Sequence, residues 1–383
     1  MKIFVLGGDG FCGWPVSLAL SAKGHDVWII DNLCRRRIDR ELGSQSLTPI
    51  RPLDERLRVW REVSGREIGW VNFDIVRDYT ALKRLLQLEK PDAIVHLAEQ
   101  RSVPYSMTSI EHRRATLDGN VGGTHNILAA LVETGVDAHL VHLSSIGVYG
   151  YETLGYRVPD GHVKVSIQSS QGAAEREILH PANPVSIYHL SKAMDQLVLE
   201  YYSKNEGVRI SDLLQGTVWG TQTPETALDE RLVNRFDYDA VYGTVLNRFI
   251  LQATLGQPLT VYGSGGQTRA FIHITDTVRC IELALANAPS RGDKMVILNQ
   301  VAETQRVMDL ALLVGRTLGG TKINFLENPR EEPESNELQV SNAGFSALGF
   351  RAKTLGEELM CETKDIVARY AFRCDKSHIF AAA

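Results

Sequence analysis

A glycine-rich turn directly behind the first apolar run restricts what this chain can fold into more than any other segment. "MKIFVLGGDGFCGWP" reads as a short strand followed by Gly7, Gly10 and Gly13 at GxxGxxG spacing. Glycines there permit a tight turn and let backbone N–H groups and a helix N-terminus approach a pyrophosphate. The next apolar run, "VWIIDN", ends in Asp31, 18 residues beyond Gly13, about where a carboxylate meets the adenosine ribose of a dinucleotide. Turn and acid together predict an NAD-binding βαβ unit, with Gly7, Gly10, Phe11, Cys12 and Gly13 around the pyrophosphate and Asp31 and Asn32 near the ribose. Asp31 favours NAD over NADP because it repels a 2′-phosphate, whereas Arg35, Arg36 and Arg37 offer guanidinium groups that could receive one. A third run ends at Asp74-Ile75, placed either to lie against adenine or to cap its strand.

Apolar runs recur at 3–6, 27–30, 70–73, 93–97, 140–143 and 210–214, most of them separated by helical stretches. Parallel strands need long crossovers and are buried on both faces, so the pattern predicts an α/β fold. We expect a Rossmann-type doubly wound parallel sheet with a smaller α+β substrate-binding lobe. Residues 1–220 form the NAD-binding domain in this reading. Residues 221–383 form mainly the lobe, with returns to the main sheet. A helix is expected over 246–254 and a short strand at "PLTVYG". Residues 34–66 exceed a typical βα connection; they suit a lid over the cofactor, a protein contact, or a solvated helix with alternating charges.

With 41 basic against 46 acidic residues and a net charge of −5, the chain has no general attraction for nucleic acid or an anionic membrane. Its partners are expected to be small molecules. Cys12, Cys34, Cys280, Cys361 and Cys374 are scattered and lack CxxC spacing, which argues against a disulfide framework or a zinc site. No basic leader precedes "MKIFVLGG", and no apolar run approaches the roughly 18 residues that span a bilayer. The reading is a soluble, unprocessed, cytoplasmic protein without a metal.

In "PVSIYHLSKAMDQLVLEYY", Tyr188 and Lys192 stand at i, i+4 on one helix face. An ammonium there favours a phenolate and is expected to pull the tyrosine below its reference pKa of about 10. Such a phenolate beside a nicotinamide can take a proton from a substrate hydroxyl while the hydroxyl's carbon gives up a hydride. The run "HLVHLSSIGVYG" carries Ser144 and Ser145 to the carboxyl edge of the sheet, where one hydroxyl could bond the same oxygen.

Gly7/Gly10/Gly13, Asp31, Asn120 in "GNVGGTHN", Ser145 and Tyr188-x-x-x-Lys192 resemble the extended short-chain dehydrogenase/reductases acting on nucleotide sugars. Within them the chain is most similar to the sulfoquinovose synthase branch, through "GGDGFCGWP", "DNLCRRRIDRELGSQSLTPI", "EQRSVPYSM", "YHLSK", "RFDYDAVYGTVLNRF" and "LTVYGSGGQTRAFIHITDTVRC". The likeness covers nearly the whole chain and is weakest at 150–180 and beyond 335. It implies a bound NAD, to which Asn120, Tyr188, Lys192, Arg36, Asp74 and Ile75 contribute. It also implies a UDP-sugar, with UDP-glucose first in line, near Arg101, Gln215, Asn247, Arg248, Thr260, Tyr262, Arg269 and Arg330; diphosphates ask for guanidinium donors. Sulfite is the implied second substrate, and Arg101 could attract it or pair with Glu99. A homodimer is implied as well, with Leu197, Val198 and Leu199 of the Tyr188 helix as one candidate face.

The branch implies oxidation at C4, elimination across C5 and C6, addition of sulfite and return of the hydride. It carries threonine, methionine and glutamate across the stretch that here reads Ser145-Ile146-Gly147-Val148. Val148 cannot replace an acid, so His189, with an ordinary pKa near 6.5, becomes a candidate for proton transfer. "SSIGVYG" resembles sugar 4-epimerases, which leaves a 4-epimerase or 4,6-dehydratase as alternatives. A non-catalytic NAD-binding sensor is a third, disfavoured because it has no need for an activated phenol.

Overall fold

The computed structural model describes residues 1–319, 322–328 and 333–380. Five strands lead the chain: β1 (Lys2–Leu6), β2 (Asp26–Ile30), β3 (Ile68–Val71), β4 (Ala93–His96) and β5 (His139–Ser145). A hairpin of β6 (His162–Ser169) and β7 (Gly172–Leu179) precedes β8 (Ile210–Gln215). The chain then leaves the sheet through β9 (Thr217–Trp219), β10 (Leu259–Tyr262) and β11 (Thr268–His273), and re-enters it at β12 (Val296–Gln300). Among the described residues the central sheet has seven strands in the order β12-β8-β5-β4-β1-β2-β3, all parallel. Strand order reverses between β1 and β4, the position where such sheets bind ligands beyond their carboxyl ends.

Alternation along β1 explains the double burial. Ile3 and Val5 enter one core cluster with Trp14 and Val27, while Phe4 and Leu6 enter another with Ile94 and Leu140. A third core, with Phe236, Phe249 and Leu310, fills the lobe. The strand expected at 70–73 lies two residues earlier. Gly69 leaves room for Trp28, whose ring a Cβ would meet at 2.6 Å, and the bond from Asp31 N–H to the Val71 carbonyl closes the pairing at its far end.

The helices relevant to the site are α1 (Gly13–Ala22), α2 (Cys34–Glu41), α3 (Leu53–Ser64), α4 (Tyr79–Glu89), α5 (Val103–Met107), α6 (Ile110–Thr134), α7 (Ile187–Glu206) and α8 (Val245–Thr254). Two expectations need correction. The 34–66 insertion is not simply a solvated face, because it is stitched to the lobe. Leu47 N–H donates to the Phe236 carbonyl at 3.0 Å, and Thr48 Oγ1 to that of Asn234 at 2.6 Å. Arg56 is fully buried over the Trp14 ring. On α7, Leu199 lies in the core, leaving Leu197 as the exposed apolar group of the three.

Candidate active site

The glycine turn is shaped by close approach. Gly7 adopts φ +83°, and a Cβ there would lie 2.7 Å from the Leu97 backbone; at Gly13 a Cβ would lie 2.1 Å from the Gly7 carbonyl oxygen. Side chains at these positions would push α1 off the turn, so the glycines let its N-terminus approach closely enough to receive a pyrophosphate. Asp31 Oδ2 accepts from Asp9 N–H at 2.8 Å and Oδ1 from Leu33 N–H at 2.7 Å. Burial, reinforced by Asp9, pushes its pKa up to about 6.

Sequence reasoning missed Asp9. This buried carboxylate binds Arg36 through Nε and Nη2 at 2.6 and 2.8 Å and Arg56 at 3.1 Å. Arg36, one of the three guanidinium groups considered for a 2′-phosphate, is thereby committed to Asp9. Asp74 accepts from Asn32 at 3.0 Å and from the N–H of Val76 at 2.9 Å, and Ile75 is buried against Gly123. Asn120 is a tie rather than a wall of the cavity: its side chain bonds Gln100 N–H and carbonyl at 2.8 and 3.0 Å and Ser191 Oγ at 3.0 Å. Turn, helix N-terminus and terminal acid fit NAD, whose adenosine half Asp31 and Asn32 would hold.

A cavity of ≈270 Å³ opens beside this turn. Phe11, Cys12, Ser144, Ser145, Tyr188 and His189 contribute to its lining, as do Arg101, Gln215, Arg248, Tyr262 and Arg269. The lining includes no carboxylate among the described residues, so its fixed charge is cationic. Tyr188 is positioned by the first turn of α7, whose N-cap Ser186 accepts from His189 N–H, and by Ser106 Oγ, which accepts from Tyr188 N–H at 3.2 Å. Ser145 lies beside the phenol, where its hydroxyl favours the ionised form, and it accepts from Gly147 N–H at 3.1 Å.

Phenol acidity departs from expectation. Burial dominates and raises the Tyr188 pKa; Lys192 opposes this but Glu99 adds to it. The ammonium is not the phenol's alone, since Lys192 Nζ pairs with Glu99 and donates to the Leu143 carbonyl at 2.5 Å. Glu99 therefore does not pair with Arg101. Arg101 instead reaches Asp237 at 2.7 Å and lies near the Phe11 and Tyr242 rings.

His189 is buried, with Nδ1 3.1 Å from Ser186 Oγ. Its Nε2 occupies the space beside Gly147 so closely that a Cβ there would fall 2.0 Å away. Glycine at 147 is what admits this imidazole to the cavity. Val148 turns the other way and is fully buried in the core.

Of the remaining candidates, Arg248 donates to the Tyr262 hydroxyl at 2.9 Å, Arg269 stacks on Tyr151 and Gln215 donates to Thr277 at 3.2 Å. Asn247 and Thr260 do not line the cavity. Asn247 is buried and donates to the Asp237 carbonyl at 3.0 Å, and Thr260 is held by Gln252 at 2.8 Å. Arg330 lies outside the described residues.

Residues 3–297 match the family described as NAD dependent epimerase/dehydratase. A chloroplastic UDP-sulfoquinovose synthase of Spinacia oleracea is 40% identical over 99% of this chain and 78% of that protein. A UDP-sulfoquinovose synthase of Sulfolobus acidocaldarius is 38% identical over 96% of this chain and 93% of that one. The fold is shared with a UDP-glucose 4-epimerase of Thermotoga maritima solved with UDP-glucose, at TM-score 0.71 and 21% identity, covering 97% of this chain and 99% of that one. It is shared also with a Bacillus cereus UDP-glucuronic acid 4-epimerase solved with its sugar nucleotide and NAD, at TM-score 0.69 and 23% identity, covering 96% and 99%. With the dinucleotide turn, Asp31 and the Ser145/Tyr188/Lys192 group on one scaffold, this chain belongs to the NAD dependent epimerase/dehydratase family, in the branch that holds the sulfoquinovose synthases.

Proposed function

We propose that the protein converts UDP-glucose and sulfite to UDP-sulfoquinovose and water. The observation that carries this reading is a cavity joining the Tyr188/Ser145 pair to Arg101, Arg248 and Arg269 with no lining carboxylate among the described residues. That charge pattern suits an anionic sugar nucleotide and an anionic nucleophile. Bound NAD supplies a hydride acceptor and later a donor, with no net consumption. Tyr188 removes the 4-hydroxyl proton while Ser145 steadies the oxygen. The resulting 4-ketone acidifies the C5 hydrogen, whose proton leaves together with the 6-hydroxyl as water. Sulfur of sulfite then bonds to C6, C5 regains a proton and reduction at C4 restores the alcohol. His189 serves the proton transfers at C5 and C6, a role supported by its place beside Gly147. Arg101 receives the sulfite, while Arg248 and Arg269 take the diphosphate.

A sulfonated UDP-sugar, formed only when UDP-glucose and sulfite are both supplied, is the expected product by mass spectrometry. Accumulation of UDP-galactose alone would support a 4-epimerase instead, a reading favoured by the turn of Val148 into the core.

No helix among the described residues is long and apolar enough to cross a membrane. The described cysteines are all unpaired, which supports a reducing, cytoplasmic setting. A homodimer through the outer face of α7, where Leu197 and Tyr201 are exposed, completes the proposal; solution mass by light scattering checks it.

A further inference from the structure

Behind the base, a row of charged groups crosses the sheet. Register places His96 of β4 beside His142 of β5, and His142 beside Asp212 of β8. Neighbouring residues in register share a face, so all three point to the side covered by α6, where Thr124 Oγ1 lies 3.3 Å from His96 Nε2, and by α7, which presents Tyr188, Lys192 and Asp195 at i, i+4 and i+7. The loop after β4 adds Glu99. His142 Nδ1 lies 2.7 Å from Asp212 Oδ1, and its Nε2 lies 2.8 Å from Glu99 Oε1. Glu99 Oε2 pairs with Lys192, and Gln196 fixes the other Asp212 oxygen at 3.0 Å. Glu99, His142, Asp195 and Asp212 are all buried, and none of the four lines the cavity.

We propose that Glu99 is a positioning residue that governs how much of the Lys192 charge reaches the Tyr188 phenol, and that His142, anchored by Asp212, holds and partly neutralises Glu99. The alternative use of a buried carboxylate, as one half of a single structural ion pair, needs no second cation in line. Here the line is Asp212–His142–Glu99–Lys192–Tyr188, alternating in sign up to the phenol. A negative charge at Glu99 opposes phenolate formation and a positive one at His142 assists it. Other charged or titratable groups facing Glu99 are His96, 3.4 Å from Oε1, and Asp195, 3.9 Å from His142 Nε2. Arg101 follows on the same loop but is turned to Asp237. Burial favours the uncharged form of His96 and pushes the Asp195 pKa up to about 7, so Asp195 is charged where the phenol ionises and adds the same field in every variant.

The inference rests on Tyr188 as the base, but its test does not require turnover. In the NAD-loaded protein, phenolate formation at Tyr188 is followed by ultraviolet difference absorbance, with the Tyr188→Phe spectrum subtracted, in wild type, Glu99→Gln and His142→Gln. The expected result is that Tyr188 ionises at lower pH in Glu99→Gln, whereas His142→Gln moves it little, because the His142 ring releases its proton before the phenol ionises. A general loosening of the fold moves both variants alike. No shift or an upward shift in Glu99→Gln, or an equal shift in the two variants, overturns the proposal. If Glu99→Gln does not fold, Glu99→Asp, which draws the carboxylate back from Lys192, decides alone, a downward shift supporting the proposal and an unchanged or higher value overturning it. A Tyr188→Phe protein that still oxidises UDP-glucose would instead sink the assignment of the base while leaving the spectroscopic result readable.

Discussion

His142 stands directly opposite Asp212 in the β5/β8 register and bonds it at 2.7 Å while reaching Glu99 with its other nitrogen at 2.8 Å. Clamped between two carboxylates, one imidazole links the sheet interior to the Tyr188/Lys192 pair. Burial and the nearby Lys192 work against a protonated ring, yet Glu99 and Asp212 outweigh them and push the His142 pKa up to about 9.

A pH dependence of stability follows. Unfolded, the ring titrates near ~6.5, so the folded state keeps a proton that the unfolded chain releases. His142 contributes its full stabilisation below about pH 6.5, and that contribution is lost as pH rises through about 9. Urea midpoints measured across this window should fall in wild type and change much less in His142→Gln. Equal slopes in the two proteins would count against a charged His142.

Asp9 supports a different part of the site. Its carboxylate is buried and holds Arg36 and the fully buried Arg56. Asp9→Asn would leave Arg56 uncompensated, at a cost of about 3 kcal/mol for a broken buried pair. It would also release Arg36 and remove the charge beside Asp31. Denaturant unfolding should show the loss of stability, and the preference for NAD over NADP should narrow in a binding titration.

Gly147→Ala isolates the proposed work of His189. A Cβ at 147 would lie 2.0 Å from Nε2, so the imidazole has to leave its place while Tyr188 and Ser145 remain. Oxidation at C4 should survive, whereas elimination at C5 and C6 should slow by roughly 10²-fold or more, the scale of a lost general acid–base group. Absorbance at 340 nm reports the first step and hydrogen exchange at C5 the second. Equal losses in both steps would remove His189 from the mechanism.

The dinucleotide turn, Asp31 and the Tyr188/Lys192 pair were legible because each depends on spacing within a short stretch. Partnerships were not, because they depend on elements far apart in the chain. His142 and Asp212 meet only through strand register, and Arg101 finds Asp237 in the lobe rather than Glu99 two residues away. A histidine in "HLVHLSS" and an aspartate in "ISDLL" were nevertheless signals, since polar groups inside buried strands need partners. The acidity of Tyr188 was misread because the pattern shows the neighbouring ammonium but not the burial that opposes it. Val148 could be identified as a missing acid, while its turn into the core depends on how the short helix after β5 packs.

Elimination followed by sulfite addition is the central claim, and the most direct measurement is mass spectrometry of the sugar nucleotide formed from UDP-glucose and sulfite in deuterated water. The account predicts a sulfonated product carrying one deuterium at C5 and none at C4, with Tyr188→Phe forming no such product while retaining NAD. A sulfonated product without deuterium at C5, or unlabelled UDP-galactose in its place, would contradict it.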